Sequence, residues 1–119
     1  MDAVSQERRP ISVGVWVNVA AATASVVDFY RVPGGYNFIV EEVQASFPAG
    51  TAGELALAFF VGPTQILPTV GSYFGDGSTV SDKTIVIVQQ DGLIQLKATN
   101  SNPTDTRSAY VLVRGTLIR

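Results

Sequence analysis

The chain has 119 residues, a formal net charge of −2, and neither cysteine nor histidine, so disulfides, Cys-based zinc sites, histidine metal sites and a Ser-His-Asp triad are excluded. Its length fits one domain with a hydrophobic core of its own. Only 15% of residues are charged and 46% are hydrophobic, which gives no basic footprint for nucleic acid, leaves little to coat a free surface, and favours an assembled state.

The first ten residues, MDAVSQERRP, are polar and mixed in charge. They have no apolar h-region of a secretory signal and read as an exposed arm, with the domain proper spanning 11–119. Arg8 and Arg9 form the only basic doublet and are candidates to pair with acidic groups on a neighbour, with Pro10 closing the arm. In the next ten residues Ile11, Val13, Val15, Val17 and Val19 alternate with Ser12, Gly14, Trp16, Asn18 and Ala20. That period of two predicts a strand with a valine core face and Trp16 on the opposite face. A second strand is expected at 23–32. A third, at 36–47, changes parity: Phe38 and Val40 share one phase, while Val43, Ala45 and Phe47 share the other. A bulge near Glu41 and Glu42 brings both sets to one side.

The fourth strand, ELALAFFV at 54–61, is apolar on both faces. Leu55, Leu57, Phe59 and Val61 suit the core. Ala56, Ala58 and Phe60 then need a second cover, because a sheet with one side in water alternates apolar with polar. Short strands are expected at 65–67 and 72–74, and longer ones at 83–88, 93–99 and 108–118. In 93–99, Ile94, Leu96 and Ala98 face in. In the last strand Val111, Val113 and Leu117 oppose Tyr110, Leu112 and Arg114. Turn chemistry separates these segments at Pro33-Gly34-Gly35, Pro48-Ala49-Gly50, Gly62-Pro63, Gly75-Asp76-Gly77, Asp91-Gly92 and 100–105. No segment carries a helical stripe, and none approaches the roughly 18 to 20 apolar residues of a membrane span. The reading is all-β: an eight-stranded antiparallel sandwich, jelly-roll in type, with an immunoglobulin-like order the other topology open.

Candidate sites are few. Glu41 and Glu42 are the only acidic doublet, and neighbours on a regular strand point to opposite faces, so catalysis is not expected of them. Gly75-Asp76-Gly77-Ser78 with Asp82 is short of acidic ligands for calcium and reads as a turn. Asp91-Gly92 reads as a hairpin turn that fixes strand register, and the tract NSNPTD at 100–105 as a capped loop. Trp16, Tyr30, Tyr36, Tyr73 and Tyr110 are the aromatics from which a sugar-stacking platform would be built, and such residues are equally at home in protein interfaces. No cofactor, metal or enzymatic role is expected. The candidate interface is Arg8 and Arg9 on the arm, with Trp16, Ala56, Ala58, Phe60, Tyr110 and Leu112 forming one outer patch.

The stretch VPGGYNFIVEEVQASF, the PAGTAGEL turn and strand that follow it, and the ending KATNSNPTDTRSAYVLVRGTLI resemble small single-domain β-sandwich proteins from the structural gene clusters of tailed phages and related viruses. The resemblance implies a non-enzymatic virion component: a capsid decoration protein, head fibre or spike base. It implies a homo-oligomer, with a trimer favoured, that binds a capsid or other virion protein and resides in the virion after assembly in the host cytoplasm. A carbohydrate- or host-surface-binding module is the alternative.

Overall fold

The computed structural model of the chain describes residues 7–119. Nine strands follow one another: β1 (Arg8–Val19), β2 (Ala24–Arg31), β3 (Asn37–Phe47), β4 (Leu55–Val61), β5 (Thr64–Leu67), β6 (Ser78–Asp82), β7 (Val86–Val88), β8 (Leu93–Asn100) and β9 (Arg107–Ile118). No helix occurs among the described residues. All pairings are antiparallel. One sheet runs β1-β9-β3-β6, with β7 also on β3; the other runs β2-β8-β4-β5. Strands early in the chain thus pair with strands late in it, β1 with β9 and β2 with β8, around the inner hairpin of β4 and β5. This nesting across two sheets is the strand order of a jelly roll.

The count of nine rather than eight has a local cause. The register of β3 against β9 slips between Val40 and Glu42, a bulge at Glu41. Before it β3 pairs β7, from Phe38 to Val40; after it β3 pairs β6, from Val43 to Phe47. The bulge therefore splits one sheet-edge strand into two pieces. It also does what the parity change requires, since Phe38, Val40, Val43, Ala45 and Phe47 are all buried. The piece β6 was not foreseen at Ser78–Asp82, and the strand expected at 83–88 shrinks to β7. Residues 72–74 form no strand; Tyr73 makes an isolated bridge to Leu57.

The sandwich core is built from alternating positions of both sheets. Val17 and Val19 of β1, Leu55, Leu57 and Phe59 of β4, Ile94, Leu96 and Ala98 of β8, and Val111, Val113 and Leu117 of β9 are buried. A second bulge, between Asp28 and Tyr30, turns two successive aromatics of β2 onto this core. Phe29 meets Phe59 edge-on at 5.1 Å and Tyr30 meets Phe38 at 5.3 Å.

At the N-terminal end the structure moves a boundary. Arg8, Arg9 and Pro10 belong to β1, opposite Ile118, Leu117 and Thr116, and not to an arm. Pro10 is tolerated there because β1 is an edge strand, where a missing N–H costs no ladder bond. The remainder of the expected arm, residues 1–6, lies outside the described residues.

Candidate interaction surfaces

The outer face of the β1 sheet is ordered in rows. Trp16 lies opposite Tyr110, Tyr110 opposite Ser46, and Ser46 opposite Thr79. The next row is Gly14, Leu112, Gln44 and Ser81. Trp16 is 61% exposed. Its ring centroid is 5.4 Å from that of Tyr110, tilted by 54°. Tyr110 reaches across β1 over Gly14, where any Cβ would overlap its hydroxyl. A groove of about 500 Å³ opens beside Trp16, walled by Ser46, Phe47, Pro48, Ala49, Gly77, Ser78 and Thr79.

Farther along the same face sit the paired carboxylates. The bulge places Glu41 beside Thr116, whose Oγ1 donates to Glu41 Oε1 at 3.0 Å. Glu42 accepts from Ser81 Oγ at 2.9 Å and Gln44 Nε2 at 3.3 Å, and faces Arg114 at 3.6 Å. The Ser81 hydroxyl, helped by Gln44 and the charges of Lys83 and Arg114, holds the Glu42 carboxyl below its ordinary range despite partial desolvation. Glu42 is thus a stabilised anion inside a side-chain network, which is the opposite of a raised-pKa general acid.

The outer face of the β2 sheet differs. Its rows are Ala24-Thr99-Ala56, Val26-Lys97-Ala58 and Asp28-Gln95-Phe60. A polar column on β8 therefore runs between an apolar column on β4 and a column on β2 that is apolar as far as Asp28, which accepts from Gln95. Ala58 is only 8% exposed without any partner chain, because its short side chain stands below taller neighbours. Phe60 is half-buried, and Val26 is 60% exposed. They share a hollow of about 250 Å³ with Gly62, Pro63, Gln95 and Lys97. Here the single outer patch expected from sequence divides. Trp16, Tyr110 and Leu112 lie on one sheet; Ala56, Ala58 and Phe60 lie on the other, facing away from them across the core.

Arg8 and Arg9 are remote from the centre of both faces, at one end of the sandwich. Arg9 pairs with Glu7 at 2.7 Å, Arg119 approaches the same carboxylate at 3.4 Å, and both guanidiniums lie over the Tyr36 ring at 5.6 and 5.1 Å. Tyr36 donates its hydroxyl to Glu7 at 3.0 Å, and that bond, followed by Arg9 and Arg119, lowers the Glu7 pKa.

The aromatic platform does not assemble. Tyr36 and Tyr73 are buried and Tyr30 packs on Phe38, which leaves Trp16 and Tyr110 together. Tyr73 donates to Asp82 at 2.6 Å, and burial, reinforced by that carboxylate, raises its phenol pKa far above the ordinary value. Asp76 accepts from the Gly50 amide at 2.7 Å and so fastens two turns together. No group of three or more metal-ligating side chains gathers among the described residues.

The 100–105 tract is a capped loop as expected. Asn102 Oδ1 accepts from the amides of Thr104 and Asp105, while Asn102 Nδ2 donates to both oxygens of Glu54. Arg107 closes on Glu54 at 3.1 Å. The Asn102 amide, with Arg107 behind it, keeps the Glu54 pKa low. The sequence reading missed this Asn102-Glu54-Arg107 link; the turn spacing shows a loop but not which distant carboxylate it meets.

In fold, the chain is similar to a chain of the acid-stable capsid of Helicobacter pylori bacteriophage KHP30, with a TM-score of 0.54 and 9% identity over 92% of this chain and 93% of that one. It is also similar to a chain of a cyanophage capsid asymmetric unit (TM-score 0.48, 13% identity, 99% and 89% covered). A third similarity is to a chain of Bacillus endospore appendages, described as a family of disulfide-linked pili (TM-score 0.48, 16% identity, 92% and 90% covered). At such identities the likeness is one of fold. No family model matches the chain. No curated protein matches it.

Proposed function

We propose that this chain is a non-enzymatic structural protein of a virus-type particle, a homo-oligomer that binds or decorates the particle surface. The observation that carries the reading is the nested two-sheet order, shared end to end with the phage capsid chain at a TM-score of 0.54. Its chemistry agrees: the acidic doublet is spent on hydrogen bonds and an ion pair, and Tyr30, Tyr36 and Tyr73 are spent on the core.

The assembly face in this proposal is the outer side of the β2 sheet, with Val26 and Phe60 as projecting apolar groups on either side of Gln95 and Lys97, and Ala56 and Ala58 as the low ground beside Phe60 on β4. A trimer is the favoured order. Residues 1–6, with Arg8 and Arg9 at their root, are proposed to reach a neighbouring particle protein.

Light scattering on the intact chain tests the oligomer. The expected result is a homo-oligomer that Phe60→Glu converts to a monomer with an unchanged β circular dichroism spectrum. A wild-type monomer at high concentration would overturn the reading. Loss of assembly and fold together would instead return Phe60 to the core. Removing residues 1–6 spares β1; attachment should be lost and the sandwich kept.

A further inference from the structure

We infer that the groove beside Trp16 binds a neutral saccharide. The groove lies on the sheet opposite the proposed assembly face, so the inference does not depend on that face being used.

Trp16 is the starting point. It is the only tryptophan of the chain, and 61% of it is exposed. It is also fixed in place. It sits mid-strand on β1, not on a loop, and leans on Tyr110, whose ring occupies the space that Gly14 leaves open. A ring so held offers a flat apolar surface with little ordering entropy left to lose on binding.

The wall facing it is polar but uncharged. Ser46 Oγ and Thr79 Oγ1 lie 3.0 Å apart and share one hydrogen. A hydroxyl has one donor and two acceptor sites, so the pair keeps one donor and three lone pairs for a ligand. The rest of the wall is Phe47, Pro48, Ala49, Gly77 and Ser78, and no charged side chain lines the groove. The nearest charges are committed elsewhere: Asp76, next to Gly77, accepts from the Gly50 amide, and Arg107, beyond Pro48 and Ala49, is paired with Glu54 and Asp105. The groove, about 500 Å³, is shallow and open to solvent, which suits an extended chain lying across it rather than an enclosed small molecule.

This combination selects among ligands. A nucleotide or phosphorylated peptide needs a cation that is missing. A basic peptide needs an anion that is missing. An aliphatic chain would leave the Ser46 and Thr79 hydroxyls desolvated and unpaired, at a cost of about 1–3 kcal/mol each. A pyranose ring fits both requirements at once: its C–H face stacks on the indole, and its equatorial hydroxyls reach the hydroxyl pair.

Because Trp16 is the sole tryptophan, its emission reports on the groove without background. The test is a titration of the intact protein with cellohexaose, chitohexaose and maltohexaose, followed by tryptophan fluorescence and calorimetry. At least one sugar should give a saturable blue shift. Trp16→Ala should weaken calorimetric binding by about tenfold or more, and Thr79→Val should weaken it several-fold while leaving the indole in place. Phe60→Glu should bind as the wild type does. Emission indifferent to all three sugars up to millimolar concentration would overturn the inference. So would a blue shift produced by concentrating the protein alone, since the groove would then be covered by a second copy.

Discussion

The two outer faces of the sandwich solve the same problem in different ways. On the β2 sheet the alanines of β4 are short and the taller polar column on β8 shields them, so Ala58 is buried in the isolated chain while Val26 and Phe60 project. On the β1 sheet the apolar group is large, and only Tyr110 supports it, so Trp16 stays in solvent. Alternation along a strand assigns residues to a face. It does not say how much of that face is wet, because exposure depends on the height of the residues one strand away.

The largest effect expected is one that removes both faces together. Gly115 of β9 lies against the β3 bulge, and an added Cβ would overlap the Ile39 carbonyl and the Phe38 ring. A backbone atom cannot step aside as a side chain can. Gly115→Val should therefore cost about 3 kcal/mol or more, or prevent folding, as read by urea denaturation. If the cost is small, the β3 backbone at the bulge can give way to a side chain on β9.

Asn100→Ala comes next. Asn100 Nδ2 donates to the carbonyls of Val19, Ala20 and Asp105 from a buried position, joining the end of β1 to the loop before β9. Losing it leaves buried acceptors unpaired, and a cost of about 1–3 kcal/mol is expected in the same denaturation experiment. The loss should loosen the Trp16 face more than the Phe60 face, as amide exchange in β1 against β4 would show.

Those two sites mark where sequence reading succeeds and stops. The bulge at Glu41 was legible because five apolar residues of β3 cannot otherwise share a face. The capped 100–105 loop was legible because its chemistry is local, but the hairpin expected at Asp91 and Gly92 is instead a turn that carries the chain from β7 in one sheet to β8 in the other, a difference only strand order reveals. Gly115 escaped notice: a lone glycine in a strand signals close approach, but only the fold says what approaches. The split of the edge strand into β6 and β7 was hidden for the same reason, since its cause sits on β3. The joint patch of Trp16 with Phe60 failed because outward-facing residues on two sheets have the same sequence signature, and only strand order separates them.

Acid should bear on both sheets. Glu42 on the β1 sheet and Glu54, just before β4 of the β2 sheet, both have pKa values lowered from an ordinary 4.5, by Ser81 and by Asn102 respectively. A carboxyl depressed in the folded state binds fewer protons there than in the unfolded chain. Its contribution is present above pH 4.5 and is lost as pH falls through the folded value. Stability should thus decline on acidification below that point, and Glu42→Gln with Glu54→Gln should flatten the decline. An unchanged slope would assign the acid sensitivity to other carboxylates.

The smallest effects separate the faces most cleanly. Trp16 and Val26 are exposed to nearly the same degree, 61% and 60%. Val26 has little buried area to lose, so Val26→Ser should shift the unfolding free energy of the isolated domain by within about 0.5 kcal/mol, while Trp16→Ser, which also loses the Tyr110 contact, should cost about 1–2 kcal/mol. Any larger consequence must come from a partner. Val26→Ser should weaken the oligomer by dilution light scattering and leave sugar titrations alone, because Val26 shares its hollow with Phe60. Trp16→Ser should do the reverse. If both weaken the oligomer, the chain is covered on two sides and the Trp16 groove is a contact between copies; if neither does, assembly runs through an end or an edge of the sandwich.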